Sequence, residues 1–184
     1  MSSSRREFLG TLALWNQAVE AAAQNHQHST PSPGTQVYVF QFLTPVERRA
    51  LNSAAAIMIP ATERSGGAAA SPPDAYVDFV LAHARPDLQR RWREGLAIIA
   101  GWQPDTIEGH FRELAQHEFA PRTRNEEFFV LLKGAVTEAF YTSQEGIEKE
   151  LGYAGLGTLR SFPGCTHDRH ETPATYKPAL RSRS

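Results

Sequence analysis

The sequence predicts a small all-α domain of about five to six helices, preceded by an N-terminal leader and followed by an extended, irregular C-terminal tail. Apolar residues recur at helical spacing in successive segments from Val46 to Leu151. Proline- and glycine-rich stretches separate those segments. No stretch alternates long enough to argue for a sheet, and no internal repeat is visible.

The first helix of the domain opens at Phe42-Leu43-Thr44-Pro45-Val46-Glu47. Thr44 suits the N-cap, Pro45 the first helical position, and Glu47 stands three residues after the cap, which completes a capping box. Apolar positions 46, 50, 54, 57 and 58 follow, and the helix stops before Pro60. Just ahead, Val37-Tyr38-Val39-Phe40 is a short β-prone patch. Residues 60–73, with Ser65-Gly66-Gly67 and Ser71-Pro72-Pro73, read as a loop. Asp74 is placed to cap a second helix carrying Tyr76, Val77, Val80 and Leu81, and Arg85-Pro86-Asp87 ends it. A third helix aligns Leu88, Trp92, Leu96 and Ile99, with Arg90, Arg91 and Arg93 read as a solvated face. Pro104-Asp105-Thr106 opens a fourth, with Ile107, Phe111 and Leu114 on one side.

Asn125 suits the cap of the fifth and most apolar helix, from Phe128 to Phe140. Its wide apolar arc makes it the expected centre of the domain. Ser143 suits the cap of a short sixth helix with Ile147 and Leu151, ended by Gly152. Beyond Gly155 no apolar period survives. A tail of that kind is disordered or lies on another surface, and Phe162, Cys165, Tyr176 and Leu180 favour the second. The expected organisation is 1–23 signal, 24–36 polar linker, 37–155 helical domain and 156–184 partner-contacting tail.

The signal assignment rests on Ser4-Arg5-Arg6-Glu7-Phe8-Leu9-Gly10. Two arginines precede the apolar run Leu9–Trp15, which leads to Ala21-Ala22-Ala23. Charge, apolar run and small residues make an export signal. The paired arginines point to the twin-arginine route, with Arg5, Arg6, Phe8 and Leu9 as its carriers. The alternative is a basic amphipathic helix that starts the mature protein. Asn16, Gln17 and Glu20 shorten and weaken the apolar run, so cleavage after Ala23 is less marked than export.

With 184 residues, 41% of them hydrophobic, the chain has one domain's worth of core. A net charge of -1 and the lack of a Lys/Arg tract argue against nucleic acid as a partner. One cysteine excludes an internal disulfide, a C-x-x-C-H haem site and an iron–sulfur cluster held by this chain alone. There is no G-x-G-x-x-G, P-loop or nucleophile elbow. The densest polar group is Cys165-Thr166-His167-Asp168-Arg169-His170-Glu171. Cys165, His167 and His170 are all competent metal ligands, and a stand-alone exported metal-binding protein is the alternative reading. A single short loop differs from structural zinc sites, whose ligand pairs come from two elements, so a polar contact loop is preferred. His26 and His28, in the linker, read as solvated. His83, His110 and His117 read as satisfied helix-surface side chains.

Several motifs together resemble the gluconate 2-dehydrogenase subunit 3 family. They are Phe42–Arg48, Ile57-Met58-Ile59-Pro60, Phe140-Tyr141-Thr142-Ser143, Lys149–Gly155 and Phe162-Pro163-Gly164-Cys165-Thr166-His167. The resemblance covers roughly residues 40–170. It implies a non-catalytic small (gamma) subunit of a periplasmic sugar or sugar-acid dehydrogenase, held at the inner membrane through its partners. It also implies a large glucose–methanol–choline (GMC) type subunit that holds FAD, and a cytochrome c subunit with haem c that takes the electrons. The large subunit would be exported through the twin-arginine translocase by riding on the small one, which would support its maturation. Tyr141, Tyr153, Phe162, Pro163 and His167 are then the expected partner contacts. Cys165 is the candidate for a disulfide between subunits. No cofactor is expected on this chain, and no catalytic residue is carried over.

Overall fold

The computed structural model describes residues 5–25 and 38–155. Contacts divide the chain into Met1–Tyr153 and Ala154–Ser184. In the second unit the described residues are Ala154 and Gly155, both exposed. The first unit is built from α1 (Arg5–Asn25), α2 (Pro45–Met58), α3 (Gly67–Ala70), α4 (Asp74–Ala82), α5 (Pro86–Ala100), α6 (Ile107–Ala115), α7 (Arg124–Tyr141) and a π-helix (Glu145–Glu150). The all-α expectation holds: the described residues contain no strand.

Helix α7 is the centre, as its apolar arc predicts. Phe128, Phe129, Leu131, Leu132, Ala135, Val136, Ala139 and Phe140 are buried on it, and α1 to α6 all pack on it. Its cap is Thr123, not Asn125. Thr123 Oγ1 accepts from Glu126 N at 3.3 Å, and Glu126 Oε2 accepts from Thr123 N at 3.1 Å. The reciprocal bond decides the matter, because the residue three after Asn125 is Phe128, which has nothing to return. At α2 the predicted box forms as read: Glu47 N donates to Thr44 Oγ1, and Glu47 Oε2 accepts from Thr44 N.

Asp74 does not cap α4. It is the first helical residue, after Pro73. Its Oδ2 accepts from Arg48 Nε at 2.9 Å and Asn52 Nδ2 at 3.2 Å, which ties α4 to α2. One turn later on the same face, Asp78 is fully buried. It takes Tyr38 Oη and Gln41 N on Oδ2, and Phe42 N and Leu43 N on Oδ1, at 2.5–2.9 Å. The β-prone patch 37–40 therefore makes no strand over its described residues. The backbone donors that follow it are satisfied by one carboxyl group instead of a neighbouring strand. Burial, followed by the hydrogen bond to Asp78, pushes the Tyr38 phenol above its ordinary range.

The arginine face of α5 is less solvated than its pattern implies. Arg90 is exposed, but Arg91 pairs with the buried Glu127 of α7. Arg93 reaches Glu47 and the carbonyl of Phe42, with its guanidinium over the Phe42 ring. Burial tends to raise the Glu47 carboxyl, but the Thr44 donors and Arg93 outweigh it and hold it below the usual carboxylate range.

On its inner face α5 meets α7 at Gly95. A Cβ there would stand 2.3 Å from the Phe128 ring. Gly95→Ala is expected to lower stability by about 1–3 kcal/mol through overpacking. Gly134, on the exposed side of α7, has nothing within 4 Å of its hypothetical Cβ. Gly134→Ala should raise stability by about 0.5–1 kcal/mol. Urea unfolding of the two variants should therefore move the midpoint in opposite directions.

The N-terminal stretch is a helix, and half of it joins the core. Trp15, Ala18 and Ala22 of α1 are buried, against α4, α5 and α7. The Trp15 ring lies 5.3 Å from that of Trp92, and its Nε1 donates to Glu138 Oε2 at 3.1 Å.

Candidate functional site

Three of the motifs that carry the resemblance, Ile57–Pro60, Phe140–Ser143 and Lys149–Gly155, meet at one end of the domain, where α7 runs into the π-helix, whereas Phe42–Arg48 lies against α4 and α5. Thr142 Oγ1 donates to Glu138 O and Ser143 Oγ to Phe140 O, which closes the last turn of α7. Ser143 Oγ also accepts from Gly146 N at 3.1 Å, the capping contact its position predicts. The segment after it is a six-residue π-helix. Gly146 is required there, since a Cβ would stand 2.1 Å from Phe140 O. Gly152, at φ +68°, ends the turn as expected.

Two carboxyl groups of the π-helix grip the 62–67 loop. Glu145 Oε1 accepts from Gly66 N at 2.8 Å. Glu150 Oε2 accepts from Ser65 Oγ at 2.7 Å and Thr62 Oγ1 at 2.8 Å. Lys149 pairs back to Glu145 at 2.6 Å. The Lys149 bond and then Gly66 N hold Glu145 below its ordinary value, and the Ser65 and Thr62 hydroxyls do the same for Glu150. The loop's other side is Ile59-Pro60. Ala68 N donates to Ile59 O, and Gly67, at φ +62°, packs so close that a Cβ would meet Ile59 O at 2.5 Å. This contact folds Gly67–Ala70 into the short helix α3, inside a stretch whose sequence reads as plain loop.

Above this clamp stand exposed apolar side chains. Tyr141 is 40% exposed, Leu151 62% and Tyr153 49%. Leu151 was expected to face the core and does not. Tyr141 and Tyr153 are thus brought to one end of the domain and presented outward. Phe162, Pro163, Cys165, His167 and His170 lie outside the described residues. Arg5, Arg6, Phe8 and Leu9 lie in α1, with side chains outside the described set.

Of the three histidines expected on helix surfaces, His110 lies in α6, while His83 caps the end of α4 and His117 lies in the turn after α6; each has a partner. His83 Nδ1 meets Phe79 O at 2.8 Å, His110 stacks on Trp102, and His117 lies 3.4 Å from Glu126. A cleft between α5, α6 and α7 is lined by Ile98, Trp102, Leu114 and Phe129, with Asn125 as its polar member. Among the described residues no group of three His, Cys, Asp or Glu side chains is placed to hold a metal ion, and no helix is long and apolar enough to cross a membrane.

Residues 45–121 match the family model of gluconate 2-dehydrogenase subunit 3. Over this segment, which is less than half of the chain, it is similar to that family. No curated protein and no solved structure gives a match. The subunit 3 match runs from α2 through α6. It begins one residue after the Thr44 cap and includes Glu47, the Asp74 and Asp78 anchors and the Ile59-Pro60 side of the clamp. The other side of the clamp, at 140–153, lies beyond it. The match suggests the coarse reading of an accessory subunit in a dehydrogenase complex.

Proposed function

We propose that this chain is the small (gamma) subunit of a membrane-associated periplasmic sugar or sugar-acid dehydrogenase. It exports an FAD-holding large subunit of GMC type by the twin-arginine route, supports its maturation, and stays bound to it. A cytochrome c subunit with haem c then receives the electrons. The subunit 3 match at 45–121 is the observation that carries this reading. The twin-arginine pattern at Arg5 and Arg6, with Phe8 and Leu9, supports the export part. The exposed Tyr141 and Tyr153, over a clamped end of the domain, support a contact surface there. The tail residues Phe162, Pro163 and His167 extend it, and Cys165 links the two subunits by a disulfide.

The test is a tagged copy of this chain, expressed in its own cell together with a GMC-type flavoprotein of that cell. The large subunit should co-purify from the periplasmic fraction. Arg5→Lys with Arg6→Lys should leave both chains in the cytoplasm. A flavoprotein that still reaches the periplasm, or that never co-purifies, overturns the carrier role. Running the purified complex without reductant reads the Cys165 link directly: one band at the summed mass is expected, and two separate bands rule out the disulfide.

A further inference from the structure

We propose that α1 is a permanent helix of the folded domain, so that the stretch bearing the export pattern is retained after export and not shed after Ala23. The retention claim rests on the export reading above; the claim that α1 is a structural helix does not.

The buried residues of α1 fall at 15, 18 and 22, one face of a helix. Trp15 is held specifically. It packs on Trp92, which is fully buried, and it donates to Glu138 of α7. Glu138 also takes a hydrogen bond from Tyr76 of α4, so one carboxyl group binds α1 and α4 to the central helix. Removing residues 1–23 would uncover the Trp92 ring and leave Glu138 without its indole donor.

The same arrangement obstructs cleavage. A processing enzyme needs its scissile bond accessible and extended. Here the backbone is helical through Asn25, and Ala22, one residue before the expected cut, is only 2% exposed. The residues that make the stretch a poor leader also make it a good surface helix. Asn16, Gln17 and Glu20 interrupt the apolar run, and all three lie on the exposed side. A leader's apolar run has no need of such a polar face, whereas a helix at the edge of a globular core does. Among the described side chains of α1, Gly10 and Ala13 are exposed and burial starts at Leu14. The paired arginines lie at the other end, about 14 Å along the helix from Arg5 to Leu14 at 1.5 Å per residue. The pattern and the seat are therefore separate parts of one helix, and reading one does not require unseating the other.

The intact mass of the chain recovered from the periplasm is the direct measurement. Residues 14–23 should be present; a mature chain beginning at or after Gln24 overturns the inference. In the full-length protein, Trp15→Ala should lower the thermal midpoint by roughly 10 °C, the scale expected for losing a buried tryptophan in a chain of this size. An unchanged midpoint is equally fatal. If that variant fails to accumulate, hydrogen exchange on the unmodified protein decides: amides of 15–24 should be protected, and exchange at the rate of a free peptide overturns the seat. The two readings separate cleanly. A periplasmic but shortened chain upholds export and ends this inference. A cytoplasmic chain with a protected α1 ends the carrier reading and upholds the helix.

Discussion

Asp78→Ala is expected to cost about 4–5 kcal/mol, near the upper end of what single substitutions do. Asp78 is fully buried and accepts four hydrogen bonds, three of them from consecutive backbone amides. Leu43, the last of these, is itself buried, so its amide has no water to turn to. Each donor left unsatisfied in the interior costs about 1–3 kcal/mol. Asp78→Asn keeps one acceptor oxygen but turns an amino group toward donors, and should lose about half as much. Urea unfolding measures both, and hydrogen exchange at Leu43 should accelerate in each. A loss below about 1 kcal/mol for the alanine variant would mean that residues 38–43 are not anchored on α4.

Arg91→Met is expected to cost about 3 kcal/mol, because it leaves the Glu127 carboxyl group buried without its cation. Glu127 is 1% exposed and Arg91 23%; the partial access of the arginine to water places the effect at the low end of the range for broken buried pairs. Glu127 Oε1 has no hydrogen-bond partner among the described residues, so the pair is already incompletely compensated. The double variant Arg91→Met, Glu127→Leu should therefore recover most of the loss, since an apolar pair of similar volume is often as stable as a buried ion pair. A double-mutant cycle in urea reads the coupling. The exposed pair Arg112–Glu108, at 71% and 69% exposure, is the control. Breaking it should change stability by no more than about 0.5 kcal/mol.

What could be read from residues alone was local. The α2 cap was legible because Thr44, Pro45 and Glu47 act within one turn. The core faces of α5, α6 and α7 were legible because burial follows the helical period. Features that depend on partners distant in the chain were not. Nothing in Arg90-Arg91-Arg93 says which guanidinium will meet a glutamate thirty-six residues away. Asp78 gave no sign of its role, because an aspartate on a helix reads as surface until the backbone it receives is placed beside it. Helix α3 exists through Gly67 pressing on Ile59-Pro60, a contact no propensity encodes. The π-helix was legible as a short helix with Ser143 before it, but its wider register is set by Gly146 against Phe140 O. Tyr141 and Tyr153 were legible as partner contacts only through the family resemblance; what the structure adds is that both are exposed. Assigning Ala21–Ala23 to a leader's end used the same small side chains that let a helix pack closely, and composition alone does not separate the two uses.

Helix α4 has one more consequence. It touches α1 through its apolar side and holds residues 38–43 through Asp78. The segments on either side of residues 26–37 are thus both held by the same nine-residue element. Were α1 to lift from the core, its covalent connection to residue 38 would keep it at an effective concentration on the order of millimolar. A competing helix from another protein would have to outbid that local supply, and a transient excursion of the N-terminus would be reversed before most visitors could take its place.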